Sequence, residues 1–223
     1  VDTLLARLDR IYRGQPENHP ADRAFADVAL RFAIPREIPE ALIEGFAWDA
    51  PIALAVHAWQ RPWLDLLMMG ITWTGGQGAL LAASLYGLWQ AGQGRRLRAT
   101  LVTGAYVGAI GLSLLLKAIF QRPRPDWFPP LMVADGFSFP SGHTFGALIL
   151  YGLAAALLWR DGRRLPALGL AAWVPLIGLS RVYLGVHHPS DVLASLSAGA
   201  LWVVAGLQVL RWLEVRTAAA AAG

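Results

Sequence analysis

Long apolar stretches separated by short polar turns dominate the sequence after residue 64. Five of these stretches reach the length of about 17–25 residues that a helix needs to cross a bilayer; they lie at 66–91, 99–120, 142–159, 165–184 and 191–212. The pattern predicts an all-α membrane bundle with five transmembrane helices.

The first 63 residues are more polar. Apolar side chains recur at helical spacing over 4–12 and 25–32, which favours two amphipathic helices. Residues 41–63 are apolar but interrupted by charges, and their three tryptophans favour the headgroup level of a membrane. We expect an amphipathic N-terminal arm and interfacial helix at 1–63, a transmembrane domain at 64–216 and a disordered tail at 217–223. Position 1 is Val rather than Met, so we expect an N-terminal piece to precede it.

Arginines mark one side of the predicted bundle. They cluster between the first and second spans, between the third and fourth, and after the fifth: Arg95, Arg96, Arg98, Arg160, Arg163, Arg164, Arg211 and Arg216. Loops rich in Lys and Arg stay on the cytoplasmic side. The alternation therefore predicts a cytoplasmic C-terminus and places the other loops outside.

Composition agrees with a membrane protein and narrows the chemistry. The chain is 56% hydrophobic and 15% charged, whereas soluble domains carry about 25% charged residues. The pI of about 10.0 could suggest nucleic acid, but the arginines lie at segment ends and not on one face, so we expect no nucleic-acid partner. Without cysteine, the chain can form no disulfide, thiolate metal site or cysteine nucleophile.

Three polar clusters fall on the side opposite the arginine-rich loops. They are Lys117-x6-Arg124-Pro125, Pro140-Ser141-Gly142-His143 and Ser180-Arg181-x5-His187-x3-Asp191. Charged groups at membrane depth are costly and usually functional. The predicted topology brings the three clusters to one end of the bundle.

The cations of these clusters fit a phosphate. Arg124 and Arg181 offer planar forks for phosphate oxygens, and Lys117, the only lysine, offers a compact charge. A lysine near a helix end can also extend to the interface with no further role. Arg122 is expected to make a secondary contact, with lipid headgroups as one candidate partner.

The second cluster is expected to open a helix. Ser141 is a natural N-cap, and Gly142 lets a ligand approach backbone N–H groups that favour anions. His143 would then lie at the mouth of the span, where an imidazole can protonate a leaving oxygen. A plain helix cap explains Ser141 and Gly142 equally well.

The third cluster pairs an imidazole with a carboxylate. His187 and Asp191 are four residues apart near a helix start, which puts the two groups within reach. A carboxylate bonded to one ring nitrogen fixes the tautomer and leaves the other nitrogen as a nucleophile or base. We expect His188, the next residue, to point elsewhere and to have a structural role. Two histidines and an aspartate could also bind a metal, but the three neighbouring cations favour an anion.

The three clusters, in order and without a substitution, resemble the motifs of the type 2 phosphatidic acid phosphatase (PAP2) superfamily, over about residues 64–212. The resemblance implies that Lys117, Arg124 and Arg181 bind phosphate, helped by Ser141 and Gly142.

The resemblance also assigns the catalytic steps. His187 would form a phosphohistidine, Asp191 would orient it, and His143 would protonate the leaving group. It implies no cofactor and no metal.

The function that the resemblance implies is a lipid phosphatase in the inner membrane of a bacterial cell, with its site facing the periplasm or the outside. Candidate substrates are polyprenyl pyrophosphate, phosphatidic acid and phosphatidylglycerol phosphate. A lipid phosphotransferase would use the same site. A transporter or channel is an alternative from another class, in which the charged residues would line an anion pathway.

Overall fold

The computed structural model describes residues 46–222. This part of the chain forms seven helices: α1 Asp49–His57, α2 Pro62–Gly75, α3 Gln77–Gly92, α4 Arg96–Phe120, α5 Gly142–Arg160, α6 Arg164–Tyr183 and α7 Pro189–Ala222. The predicted all-α class is confirmed. The two amphipathic helices expected within 1–45 lie outside the described residues.

α5 is the central helix. It packs against α4, α6 and α7, and its Ile149, Leu150, Leu153 and Leu157 are almost completely buried. The outer helices instead expose large apolar side chains, such as Leu88 of α3 and Leu201 of α7, at 70% and 74%. Exposed apolar surface of this extent is typical of contact with lipid.

The first predicted span differs from expectation. Four of the described helices, α4 to α7, are long and apolar enough to cross a membrane, whereas the stretch predicted as one helix at 66–91 is two helices of 14 and 16 residues. The break falls at Gly75 and Gly76. A Cβ on Gly75 would lie 2.5 Å from Cγ2 of Ile177, and one on Gly76 would lie 2.5 Å from Nε2 of His143. Glycine therefore permits a close approach that splits the helix.

The two ends of the bundle differ in their chemistry. At one end the turns after α3 and α5 meet, where Arg95 and Arg98 pair with Asp161 at 3.1 and 2.7 Å. The opposite end gathers the end of α4, the start of α5 and the α6–α7 junction, which carry the three polar clusters. The separation expected from the arginine pattern is therefore present in the fold.

α7 is longer than expected. It continues to Ala222, through most of the stretch for which a disordered tail is predicted. Residues 218–222 are all alanine, and alanine has the highest intrinsic helix propensity of the amino acids.

Candidate active site

The three clusters meet at one cavity of about 550 Å³ at the polar end of the bundle. Six predicted site residues line it: Lys117, Arg124, Gly142, His143, Arg181 and His187. The convergence of three cations makes the cavity suited to an anion, because their charges act in a partly buried space.

The loop after α4 places the first cations. Gln121 ends α4 in the left-handed conformation, with φ 45°, and turns the chain out of the helix direction. Arg124 then crosses the loop, donating hydrogen bonds to the carbonyl oxygens of Asp135 and Val186, both at 2.6 Å. Nζ of Lys117 donates to the carbonyl oxygen of Phe137. These bonds hold both cations at the rim of the cavity.

Arg181 approaches the cavity from the end of α6. Only 2% of the residue is exposed, and its Nη1 donates to Oγ1 of Thr72 at 2.7 Å. Its buried Nε has no hydrogen-bond partner among the described residues. An unpaired buried N–H costs free energy, so the guanidinium retains a donor suited to an anionic ligand.

His187 is held by Asp191, as the four-residue spacing predicts. Its Nδ1 lies 3.3 Å from Oδ2 of Asp191, and its Nε2 lies 3.5 Å from Nη1 of Arg124. Burial is the main factor that lowers the pKa of His187 well below 6.5; the hydrogen bond to Asp191 opposes this shift, and the charges of Arg124 and Arg181 add to it. The ring is therefore neutral at neutral pH, as a nucleophile must be.

His143 and Gly142 line the cavity at the start of α5, where they were expected. Ser141 does not face it: the residue is fully buried, and its hydroxyl lies 3.0 Å from Oγ1 of Thr144. Ser141 is the N-cap residue of α5 but makes no side-chain cap hydrogen bond. Its expected help in binding phosphate stays a prediction.

Two expectations, for Arg122 and His188, are wrong. Arg122, expected as a secondary contact with lipid headgroups as a candidate partner, is 0% exposed and forms salt bridges with Asp49 and Asp191. Its guanidinium faces inward and donates hydrogen bonds to both of these buried carboxylates. His188 does not point away from the site: its Nδ1 lies 3.2 Å from Oδ2 of Asp191. Sequence reasoning also missed Asp49, whose only signal was a charge within an apolar stretch.

A second, smaller cavity of about 220 Å³ adjoins the first. It shares Lys117, Gly142 and His143 with the larger cavity and continues along α4 and α5 past apolar side chains that include Ala109, Ile110 and Leu114. An apolar groove beside membrane-length helices therefore lies next to the anion cavity.

Comparison with known families gives two matches. The model of the PAP2 superfamily matches residues 98–214, which include all three clusters. The model of squalene/phytoene synthase matches residues 1–53. Over 44 residues the chain is 66% identical to a phytoene synthase of Rhodobacter capsulatus, covering 20% of this chain and only 13% of that protein.

Other relatives of the chain are bacterial phosphatases. The chain is 32% identical over 165 residues to phosphatidylglycerophosphatase B of Bacillus subtilis, covering 69% of this chain and 78% of the relative. It is 39% identical over 113 residues to a decaprenylphosphoryl-5-phosphoribose phosphatase of Mycobacterium tuberculosis, covering 48% and 58%.

The fold is similar to a crystal structure of a transmembrane PAP2-type phosphatidylglycerolphosphate phosphatase from Bacillus subtilis. The TM-score is 0.67 and the sequence identity is 26%, over 88% of this chain and 95% of that structure.

Proposed function

The chain belongs to the PAP2 superfamily, and on that premise we propose that it removes the terminal phosphate from a membrane lipid phosphate or lipid pyrophosphate. As a PAP2-type phosphatase it is a hydrolase. The observation that carries the proposal is the single cavity lined by Lys117, Arg124 and Arg181 together with His143 and His187. Such a cavity binds phosphate and offers both a nucleophile and an acid.

The first chemical step is attack by His187. Lys117, Arg124 and Arg181 hold the phosphate and stabilise the charge that develops on its oxygens. Nε2 of His187 attacks phosphorus, and the bond from phosphorus to the leaving oxygen breaks. The leaving oxygen takes a proton from His143. The products of this step are a phosphohistidine and the lipid with one phosphate fewer, which is an alcohol from a monophosphate and a monophosphate from a pyrophosphate.

Water completes the reaction. A water molecule gives its proton to His143 and attacks phosphorus, the bond from phosphorus to Nε2 breaks, and the electron pair returns to the ring. Throughout, Asp191 accepts the Nδ1–H hydrogen bond and stabilises the positive charge of the phosphorylated imidazole. Inorganic phosphate leaves, and His143 is protonated again for the next cycle.

The apolar groove supports a lipid substrate. Because the groove shares Lys117 and His143 with the anion cavity, a phosphate at the cations would place the attached chain among apolar side chains. The relatives are named for a glycerophospholipid and for a decaprenyl lipid, so candidates of both tail types are kept: phosphatidylglycerol phosphate, phosphatidic acid and polyprenyl pyrophosphate. We favour the polyprenyl pyrophosphate.

We further propose that the protein lies in the bacterial inner membrane with this cavity on the outer side. The arginine-rich end, with Arg95 and Arg98 on Asp161, lies opposite the cavity. This supports a cytoplasmic position for the arginine-rich end and an outer position for the cavity.

The test is phosphate release by the purified protein in detergent from each of the three lipids. We expect release from at least one lipid, and loss of release in His187→Ala. His57→Ala is the matched control, because His57 stacks on Phe128 and is not among the cavity-lining residues. Absence of release from all three lipids by folded protein, or full turnover by His187→Ala, would overturn the proposal.

A further inference from the structure

A series of buried ionic contacts connects α1 to the carboxylate of Asp191. Nη2 of Arg122 donates to Oδ2 of Asp49 at 2.8 Å, and Nη1 donates to Oδ1 of Asp191 at 2.5 Å. The other oxygen of Asp191, Oδ2, faces Nδ1 of His187. Asp49, Arg122 and Asp191 are each 0% exposed.

The Asp49 carboxylate accepts hydrogen bonds from Ser190, at the start of α7. Its Oδ1 accepts from the Ser190 backbone N–H at 2.8 Å, and its Oδ2 accepts from the Ser190 hydroxyl at 2.6 Å and from the Phe46 N–H at 2.9 Å. Burial opposes ionisation of Asp49, but these bonds and the bond from Arg122 outweigh burial and hold its pKa below the usual value. The carboxylate is therefore charged.

The net charge of these three buried residues suits the reaction. Asp49, Arg122 and Asp191 together carry one negative charge, which can balance the positive ring of a phosphorylated His187. Without Asp49, Arg122 would neutralise Asp191, and the negative charge facing the ring would be lost.

A purely structural role explains the cluster poorly. Buried ion pairs stabilise little on average, and apolar replacements of the same volume are often neutral or stabilising. This cluster also leaves Nε of Arg122 buried without a partner among the described residues, which adds a cost. Asp49 lies inside the stretch matched by the squalene/phytoene synthase model, yet its side chain contacts residues of the phosphatase part.

We infer that Asp49 and Arg122 are positioning residues of the phosphatase: Arg122, oriented and neutralised by Asp49, fixes the Asp191 carboxylate so that its second oxygen holds Nδ1–H of His187. Nε2 is thereby kept as the nucleophile. The inference deepens the proposed function and depends on it for the kinetic part of its test.

The central variant is Asp49→Asn, which keeps the shape and removes the charge. We expect folded protein with little change in KM and a kcat lowered on the order of 10-fold to 100-fold, as for other residues that orient a reactive group. Asp49→Glu should recover part of the loss. Asp161→Asn is the matched control, because it also removes an aspartate from an arginine pair, but at the opposite end of the bundle.

A double variant separates positioning from an independent effect. In an Asp191→Asn background, Asp49→Asn should lower kcat no further, because the carboxylate on which it acts is gone. An equal loss in both backgrounds would overturn the inference. So would wild-type kcat in Asp49→Asn, or a loss explained entirely by the amount of folded protein. If Asp49→Asn does not fold, Arg122→Lys keeps the charge but cannot bridge two carboxylates, and the same kcat loss is expected.

A readout independent of turnover separates this inference from the proposed function. Nitrogen NMR of histidine-labelled protein, with His187→Asn used for assignment, reports the tautomer of His187. We expect the Nδ1–H form in the wild type and a mixture of forms in Asp49→Asn. An unchanged tautomer would overturn the inference even if phosphate is released. A changed tautomer in a protein that releases no phosphate would support the orientation of His187 through Asp49 and Arg122 and would refute the proposed function.

Discussion

Gly76 and His143 are in direct contact at the break between α2 and α3. A Cβ built on Gly76 would lie 2.5 Å from Nε2 of His143 and 3.1 Å from Cδ2. The helix break therefore forms one wall for the proposed acid, and the side of the ring that faces Gly76 has no room for another carbon atom.

Gly76→Ala should displace the His143 ring. Because a displacement of about 1 Å at a reacting group can cost on the order of 100-fold in rate, we expect a kcat loss of that size with folded protein retained. Gly70→Ala is the control, since a Cβ at Gly70 has no neighbour within 4 Å among the described residues. Equal turnover by the two variants would show that Gly76 does not set the position of the ring.

His143→Ala should have an effect that depends on the leaving group. A lipid alkoxide needs a proton to leave, so we expect a loss of about 100-fold to 10,000-fold with a lipid monophosphate. p-Nitrophenolate leaves without protonation, so the loss with p-nitrophenyl phosphate should be much smaller. His187→Ala should abolish turnover of both substrates. Equal losses with both leaving groups in His143→Ala would contradict the assignment of His143 as the acid.

Chelation of divalent cations should not reduce turnover. Lys117, Arg124 and Arg181 line the cavity and supply the positive charge that a metal would otherwise supply to phosphate. The measurement is phosphate release before and after treatment with EDTA, with a metal-dependent alkaline phosphatase as the control for chelation. Loss of activity that returns on addition of a divalent metal would refute the metal-independent reaction.

Single cysteines should report the orientation, and the chain contains no cysteine to remove first. Asp126→Cys lies in the exposed part of the loop that carries Arg124, and Gln93→Cys lies in the exposed turn after α3. We expect a membrane-impermeant maleimide to label Asp126→Cys in spheroplasts and to label Gln93→Cys only after permeabilisation. The reverse pattern would place the cavity in the cytoplasm.

The sequence predicted the cavity residues well because their chemistry is local. Lys117, Arg124, His143, Arg181 and His187 were chosen as charged or titratable groups at the ends of apolar spans, and all five line one cavity. Alternating spans bring such ends together, so the topology alone predicts their convergence. Ser141 shows the limit of this reasoning, because the partner of a hydroxyl depends on a rotamer that sequence does not specify.

The sequence by itself determined a membrane bundle, its polar end and the groups available for phosphate chemistry, because hydropathy and charge are properties of each residue. Only the tertiary structure decided that Arg122 faces inward to Asp49 and Asp191, and that Gly76 breaks a helix against His143. The physical reason is distance along the chain: Asp49 and Arg122 are 73 residues apart. A contact between them depends on how α1 packs against the bundle, which no local pattern records.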